Sequence, residues 1–576
     1  MKARFLLCAT LLALAACSGS PRRLTILSTG DTHGAVFDTP YAGGKIRPSM
    51  IAASTLIDSV RTAEGADNVL LIDAGDFLQG DNCVYYFNFV DTLSEHLCPR
   101  IFAATGYDAV LVGNHDIEPG HAVYDRVARQ FAGLGIPFLA ANAVGANSEP
   151  YFGEYALFKK AGLKVLVLGC TNANIKHWLA PSVWEGIEFL SLVPFVQEEV
   201  SRLQRSLKPD VTVVAVHSGA GDGSGRQLES QGLELLNSLE GVDVIICAHD
   251  HHPCVEMREN ICMINSGARL RYVARAVVEG RGRHARKERR ISADLLRVNV
   301  MKPDTSLRAV FRADFEAVRD FTLKPVATLD RTMFTRDAFR GQSPYLNLIH
   351  TVQLRASGAD ISIAAPLSYN KTVQAGQLVF NDMFTLYSYE NQLYTVSMTG
   401  NEVRNYLEYA YDQWIGGSEG HVLKILPRDD PRTGARGWSF RNRTYNFDSA
   451  AGICYTVDVT RPRGERVKIK SMADGSPFNP DRSYRVAMNS YRASGGAFLK
   501  ASGQEVKPEA VEARILQKQE EVRTLMYKAL LAERELTPAY YSNPALLGSW
   551  SFVPASERRK IDSDFKLVFP NEQKLK

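Results

Sequence analysis

Seven short apolar runs, at 24–29, 69–73, 109–112, 137–140, 164–169, 211–216 and 243–247, recur between amphipathic stretches in the first half of the chain. That alternation is the pattern of an α/β layered domain. The residues just beyond the runs constrain the chain further. Five runs lead into polar residues with metal-binding side chains: Asp31 and His33, then Asp76, then Asn114 and His115, then His217, and finally His249 and His251. In open α/β sheets, sites collect beyond the carboxyl ends of the strands, so these five ends are expected to face one crevice.

The segments are Asp31-Thr32-His33, Asp73-Ala74-Gly75-Asp76, Gly113-Asn114-His115-Asp116, Val216-His217-Ser218-Gly219 and Ala248-His249-Asp250-His251. On a turn leaving a strand, residues two apart can aim at one ion. Carboxylate, imidazole and amide oxygen together suit two divalent ions such as Zn, Mn or Fe, and a carboxylate such as Asp76 can bridge them. A pair of such ions neutralises phosphoryl oxygens and activates water for in-line displacement, chemistry that needs ligands and no protein nucleophile. His96, His121 and His252 have no place in the set and are expected to be structural or superficial.

Composition sets looser bounds. At 576 residues, 45% hydrophobic and 23% charged, the chain has room for two core-bearing domains. A net charge of +4, part of it from Lys2 and Arg4, requires no nucleic-acid polymer as partner. Residues 1–16 read as an export signal: a basic start, an apolar run from Phe5 to Ala15 that is too short to span a membrane, and small residues at its end. Leu14-Ala15-Ala16-Cys17 resembles the lipobox of bacterial lipoproteins, which implies lipidation at Cys17, membrane attachment through that lipid, and a periplasmic or cell-surface location. Seven further cysteines come after it, and an exported protein permits disulfides; Cys254 and Cys262, which flank a short polar turn, are the pair to test, against two unpaired core thiols.

The expected domains are a catalytic one over 24–300, a connecting helix over 301–325, an α+β domain over 326–552 and a loosely ordered polar tail over 553–576. Residues 270–298 look like a hairpin with a basic turn from Arg281 to Arg290. Leu307, Val310, Phe311, Phe315, Val318 and Phe321 give the connector one apolar face, and Arg514 to Glu535 reads as a long charged helix.

The ordered polar clusters resemble those of the calcineurin-like metallophosphoesterases, and with the second domain the chain is similar to the bacterial periplasmic 5′-nucleotidase and UDP-sugar hydrolase family. That resemblance implies a four-layer β-sandwich with flanking helices, succeeded by an α+β domain that binds nucleotide. It implies one ion held by Asp31, His33, Asp76 and His251 and another by Asp76, Asn114, His217 and His249. It places His115 at the scissile phosphate, with Glu118 or Asp116 as the acid that orients it. It also implies a base stacked between two rings, Phe447 in Tyr445-Asn446-Phe447-Asp448 and Tyr491 in Asn489-Ser490-Tyr491-Arg492-Ala493-Ser494-Gly495-Gly496, with Asn489, Gly495, Gly496 and Arg492 around them. Two departures stand out. Ala497 occupies a place where the family has an aspartate, and 364–371 lacks a Gly-rich turn ending in arginine, a role left to Lys371 or Arg492. The activity implied is hydrolysis of nucleoside 5′-monophosphates. The alternatives are 2′,3′-cyclic nucleotides, UDP-sugars or other phosphoesters, and, from a different class, a surface lipoprotein that binds ligand without turnover.

Overall fold

A computed structural model of the chain describes residues 22–179, 181–280, 289–389, 391–417, 420–429 and 436–570. Cys17, the export signal and most of the basic turn between Arg281 and Arg290 lie outside these residues. The chain divides into two compact units, with the main boundary between Arg319 and Asp320.

Each of the seven apolar runs is a strand, and they assort into two six-stranded sheets. In the first, Arg22–Thr29, Val69–Asp73, Ala109–Leu111 and Phe138–Leu139 run parallel, while the hairpin of Tyr272–Gly280 and Arg290–Arg297 adds antiparallel to Arg22–Thr29. In the second, Leu163–Cys170, Val211–Val216, Val244–Cys247 and Ile261–Asn265 run parallel, edged by Tyr155–Lys160 and Cys254–Arg258. Parallel strands are covered on both faces, which is why these runs are apolar throughout instead of alternating. The inner faces meet in one core in which Leu24, Ile26, Leu70 and Ile72 pack with Val165, Val167, Val213 and Ile246. Helix Leu192–Leu207 lays Val196, Val200 and Leu203 on the outer face of the second sheet, against Leu166, Leu168 and Val214. Met50–Glu64 and His121–Gly133 contact strands of the first. The first unit is thus a four-layer sandwich, helix on sheet on sheet on helix.

The second unit is a mixed α+β body. Its five-stranded sheet has the order Ser449–Ala451, Ile361–Ala364, Ser483–Asn489, Gln392–Thr399 and Ile515–Glu521. Helix Gly400–Trp414 begins at a capping box, Thr399 accepting from the Glu402 N–H and Glu402 from the Thr399 N–H, and buries Val403, Tyr406, Leu407, Tyr411 and Trp414.

Three expectations fail locally, and of the two states left open for Cys254 and Cys262 the unpaired one is found. The apolar face from Leu307 to Phe321 sits on two helices, Thr305–Val310 and Arg312–Thr322, because the chain breaks helical geometry at Phe311. Ile515–Glu521 is a strand, with alternating half-buried and exposed residues, and only Val522–Glu533 is helical; charge density hid the period of two. Cys254 and Cys262 are both free: in their antiparallel pair Cys254 faces Asn265 and Cys262 faces Met257, so register keeps the thiols apart. Within the tail, residues 553–570 are no loose extension, since Arg558–Val568 is a helix that buries Ile561, Phe565 and Val568 in the core of the second unit. Asp564 on that helix accepts from the Val422 and Leu423 N–H groups and meets His421 Nδ1 at 2.6 Å. Among the described residues, no helix is long and apolar enough to cross a membrane.

Replacing Phe565 by Ala removes a fully buried ring and is expected to destabilise the second unit by about 3–5 kcal/mol. Denaturant titration reads this as a lowered midpoint for that unit, and an unchanged midpoint would mean the helix is not docked.

Candidate metal centre and catalytic site

The carboxyl ends of five strands deliver the polar side chains. Arg22–Thr29 leads to Asp31 and His33, Val69–Asp73 to Asp76, Ala109–Leu111 to Asn114 and His115, Val211–Val216 to His217, and Val244–Cys247 to His249 and His251. Folding gathers them into two groups, Asp31 with His33 and His251, and Asp76 with His217 and His249, the ligand atoms of each lying within 4.8 Å of one another. Asn114 Oδ1 joins the second group, 3.2 Å from His217 Nε2 and 2.9 Å from His249 Nδ1.

Backbone strain aims several of these side chains. Asp31, His33, Asp76, His249 and His251 have φ of 47°, 48°, 62°, 79° and 59°, five of the twelve non-glycine residues with positive φ among those described. Such conformations cost of order 1–3 kcal/mol each and persist where surrounding structure holds them. The turns are cross-braced accordingly. Asp31 N–H donates to Gly75 O at 2.8 Å, His33 N–H to Asp76 O at 2.9 Å, and His249 N–H to Asp31 Oδ2 at 2.8 Å. Gly113 lies so close to the Asp76 backbone and carboxylate that any Cβ there would collide with them.

Asp116 is the strongest brace. Its carboxylate is fully buried and accepts four backbone N–H groups, from Asp76, Phe77, Leu78 and Gly113, at 2.8–2.9 Å. It therefore ties the Asp76 turn to the Asn114 turn and is not a reacting acid. Burial first, then the nearby Asp76 charge, raise its pKa to about 6 against the pull of those N–H groups. Glu118, one helical turn after His115, is the residue that meets His115, Oε2 to Nδ1 at 2.5 Å. Asp250 plays a bracing part that the sequence did not suggest: it accepts from Ala220 N–H, His252 N–H and Asn265 Nδ2, fixing the turn that carries His249 and His251. His96 is buried and caps the helix Leu97–Thr105.

The donor set fits divalent cations. Asp31 Oδ1 and Asp76 Oδ2 are buried and receive no hydrogen bond, although imidazole nitrogens stand near them, His251 Nε2 at 3.5 Å and His217 Nε2 at 3.1 Å. His217 Nδ1 donates to Ala74 O at 2.7 Å, which leaves Nε2 turned to the Asp76 and Asn114 oxygens. His33 Nδ1 likewise faces Gln79 O at 3.2 Å, leaving its Nε2 2.9 Å from His251 Nε2. Lone pairs converging this way are accounted for by cations between them, with the outer ring nitrogens fixed by carbonyls. Burial foremost, with neighbouring charges, drives His33 well below its ordinary pKa, His249 to about 3 and His251 to about 4. Neutral imidazole is the metal-binding form. His217 is the exception: burial opposes its charge, but the Asp76 and Asp31 carboxylates prevail and raise it to about 9. Burial lifts the Asp31 carboxyl well above the carboxylate range, whereas for Asp76 the opposing imidazoles of His217 and His115 outweigh burial and hold it well below.

In the second unit the expected base-binding residues separate. Phe447 is fully buried, its ring centroid 5.1 Å from that of Trp414 and 5.2 Å from that of Phe440, so it is a core aromatic and not an open stacking face. The short turn Thr444–Asn446 directs Phe447 inward and leaves Tyr445 partly exposed; Tyr491 is 44% exposed. Arg492 is buried, its Nε 2.8 Å from Asp448 Oδ2 and its Nη2 donating to Tyr445 O and Asn446 Oδ1. It therefore braces the Tyr445 turn and does not reach out to ligand. Asn489 caps the helix Ser490–Ala493, and Gly495 and Gly496, at φ 123° and 86°, make the turn into the helix that starts at Ala497.

Comparison with known proteins agrees with this geometry. Residues 24–253 match the family of calcineurin-like phosphoesterases, and residues 325–502 match the 5′-nucleotidase C-terminal domain. The chain is 23% identical to the 2′,3′-cyclic-nucleotide 2′-phosphodiesterase/3′-nucleotidase of Haemophilus influenzae, over 96% of this chain and 91% of that protein. It is 25% identical to a 5′-nucleotidase of Vibrio vulnificus, over 85% and 89%. It also matches the trifunctional nucleotide phosphoesterase YfkN of Bacillus subtilis at 23% identity, spanning 39% of that longer protein. The crystal structure of a putative 5′-nucleotidase from Staphylococcus aureus superposes with a TM-score of 0.75 at 19% identity, covering 92% of this chain and 99% of that one, a likeness of fold.

If Asn114 bridges the two loops as a ligand, Asn114→Ala is expected to lower bound transition metal toward one ion per chain after dialysis, read by elemental analysis. Two ions retained would remove Asn114 from the ligand set. The paired domains, and the cage at the strand ends of the first, identify the chain as a calcineurin-like phosphoesterase joined to a 5′-nucleotidase C-terminal domain, an enzyme that hydrolyses phosphoesters.

Proposed function

We propose that the protein removes phosphate from nucleoside 5′-monophosphates, using two divalent ions of the Zn, Mn or Fe type. The observation that carries this is the pair of adjacent ligand groups with two orphaned carboxylate oxygens. In this reading Asp31, His33, Asp76 and His251 would hold one ion, and Asp76, Asn114, His217 and His249 would hold the other. When bound, such ions neutralise the phosphoryl oxygens and make water nucleophilic at neutral pH.

The chain's own residues supply orientation and a proton. His115 is held by Glu118 through Nδ1, so that nitrogen carries the proton shared with the carboxylate and Nε2 is the atom turned to substrate. As the imidazolium, with its second proton on Nε2, His115 would give that proton to the leaving ester oxygen and be left as the neutral ring held by Glu118. Asp116 does not touch the reaction; it keeps the backbone beneath Asp76 and Asn114 fixed.

For the base, Tyr491 is the platform, and the exposed ring of Tyr445, in place of the buried Phe447, is its counterpart. Arg492 links the turns that bear these two rings. The likeness to the 2′,3′-cyclic-nucleotide enzyme of H. influenzae favours a second reading in which cyclic nucleotides are also cleaved, and Ala497, where the resembling family has an aspartate, is consistent with altered ribose contact. Export with a lipid on Cys17 completes the proposal, supported by the sequence around that cysteine.

Glu118→Gln is expected to lower kcat by about 10–100-fold with metal content retained, a typical loss when the partner that orients a functional imidazole is changed. Loss of metal instead would place Glu118 among the structural braces. Tyr491→Ala and Tyr445→Ala are each expected to raise KM for AMP, by the equivalent of roughly 1–3 kcal/mol per stacked ring, while sparing p-nitrophenyl phosphate. Turnover of 2′,3′-cyclic AMP and UDP-glucose by the same preparation decides between the substrate readings. No turnover of any ester would leave only the binding role.

A further inference from the structure

The turn that bears His33 is clasped by the segment 79–84, and the two meet without room for further side chains. His33 and Gly34 are consecutive residues at φ 48° and 67°. A Cβ on Gly34 would lie 2.9 Å from both Val84 methyl carbons and 3.0 Å from Asp81 Cβ, and one on Gly80 would lie 3.0 Å from His33 Cβ. Gln79 O faces His33 Nδ1 at 3.2 Å, and Cys83 Sγ donates to Gly34 O at 3.1 Å. The direction of the His33 ring therefore depends on where this segment stands.

Asp81, at the middle of the segment, is buried and has both carboxylate oxygens engaged. Oδ1 accepts from Tyr41 O–H at 3.0 Å and from Cys83 N–H at 3.2 Å, and Oδ2 meets Arg47 Nη1 at 2.7 Å. Arg47 in turn donates from Nε to Phe37 O at 3.1 Å and from its backbone N–H to Asp38 O at 3.0 Å. Phe37, Asp38, Tyr41 and Arg47 all belong to the stretch that runs from His33 to the helix Met50–Glu64. Asp81 also caps the short helix Asn82–Tyr85, but a neutral asparagine or serine caps as well as an aspartate. A buried ion pair adds little net stability once its desolvation is counted. The charge on Asp81 thus has a use beyond capping and stability, and the geometry points to His33.

We propose, resting on the reading of Asp31, His33 and His251 as a metal-binding group, that Asp81 is a positioning residue for His33. With Arg47 and Tyr41 it ties the segment carrying the Gln79 carbonyl to the stretch carrying His33, and so sets how tightly the first ligand group takes a divalent cation. The Gln79 carbonyl is backbone and cannot be deleted by substitution, so Asp81 is the side chain through which its place can be changed.

The test compares full-length wild type, D81N and Y41F, each stripped by chelator and titrated with cobalt(II). Calorimetry resolves the two binding steps, the visible d–d bands report the geometry of each ion, and thermal unfolding of the apoproteins reports the fold. Tyr41 stacks on Phe315 at 5.4 Å, so Y41F keeps the ring in place and removes only the hydroxyl. D81N is expected to weaken one cobalt step by about 10–100-fold and to shift its d–d band, with the other step unchanged, as loss of an outer partner of a metal-binding imidazole implies. Y41F is expected to weaken the same step by less. A lowered unfolding midpoint with both cobalt affinities and both spectra unchanged would overturn the proposal and leave Asp81 a brace of the fold. So would equal weakening of both steps, which would mean that the whole cage had loosened. If D81N does not fold, Y41F alone decides by the same two criteria. Should wild type bind no cobalt, the metal reading fails, and nitrogen-15 NMR of the His33 ring decides the part of Asp81: a proton on Nδ1 in wild type and a mixture of tautomers in Y41F is expected, and one tautomer common to both would overturn it.

Discussion

Two carboxylates and four imidazoles are brought together in one crevice, Asp31, Asp76, His33 and His217 buried, His249 half-buried and His251 exposed at its rim, and the need to balance the buried charge shapes the rest of the first unit. A buried carboxylate oxygen without a hydrogen bond is strongly destabilising, and Asp31 Oδ1 and Asp76 Oδ2 are two of them in one crevice. Without metal, the charged His217 imidazole faces Asp76 at 3.1 Å, while His251, 3.5 Å from Asp31, is kept neutral and gives that oxygen no opposing charge. Divalent cations satisfy both carboxylates and all the converging lone pairs at once.

The architecture makes such convergence possible. Parallel strands end on one edge of each sheet, and turns leaving that edge can be short, strained and mutually hydrogen-bonded because the sheets beneath them are rigid. The strain is concentrated where the ligands are. Asp116 and Asp250 carry much of the compensation, each committing its carboxylate oxygens to backbone and side-chain donors of the ligand turns. A carboxylate so employed is as necessary to the site as one that touches metal, but its task is shape.

Much of this was legible in the chain itself. The strands were visible because fully covered parallel strands are apolar end to end, and the ligand residues because they stand directly after those strands. Which acid serves His115 was not decidable from spacing, since Asp116 and Glu118 are both within reach along the chain; only the direction of the short helix Asn114–Ile117 separates them. Asp250 was hidden between two more conspicuous histidines. In the second unit, side-chain direction was the missing quantity. Phe447 and Tyr445 are two residues apart, and a single turn decides which ring is buried. The strand Ile515–Glu521 was obscured by its charges, and the final helix by the polarity of its outer face, although Ile561, Phe565 and Val568 already mark its buried side.

The most direct measurement is anomalous X-ray diffraction from crystals of protein prepared with transition metal, collected at the metal absorption edge. The account predicts two strong peaks a few ångströms apart, one among Asp31, His33 and His251 and the other among Asn114, His217 and His249, with Asp76 between them. Ordered crystals showing no anomalous density in the crevice, with these side chains still bonded only to one another, would contradict it.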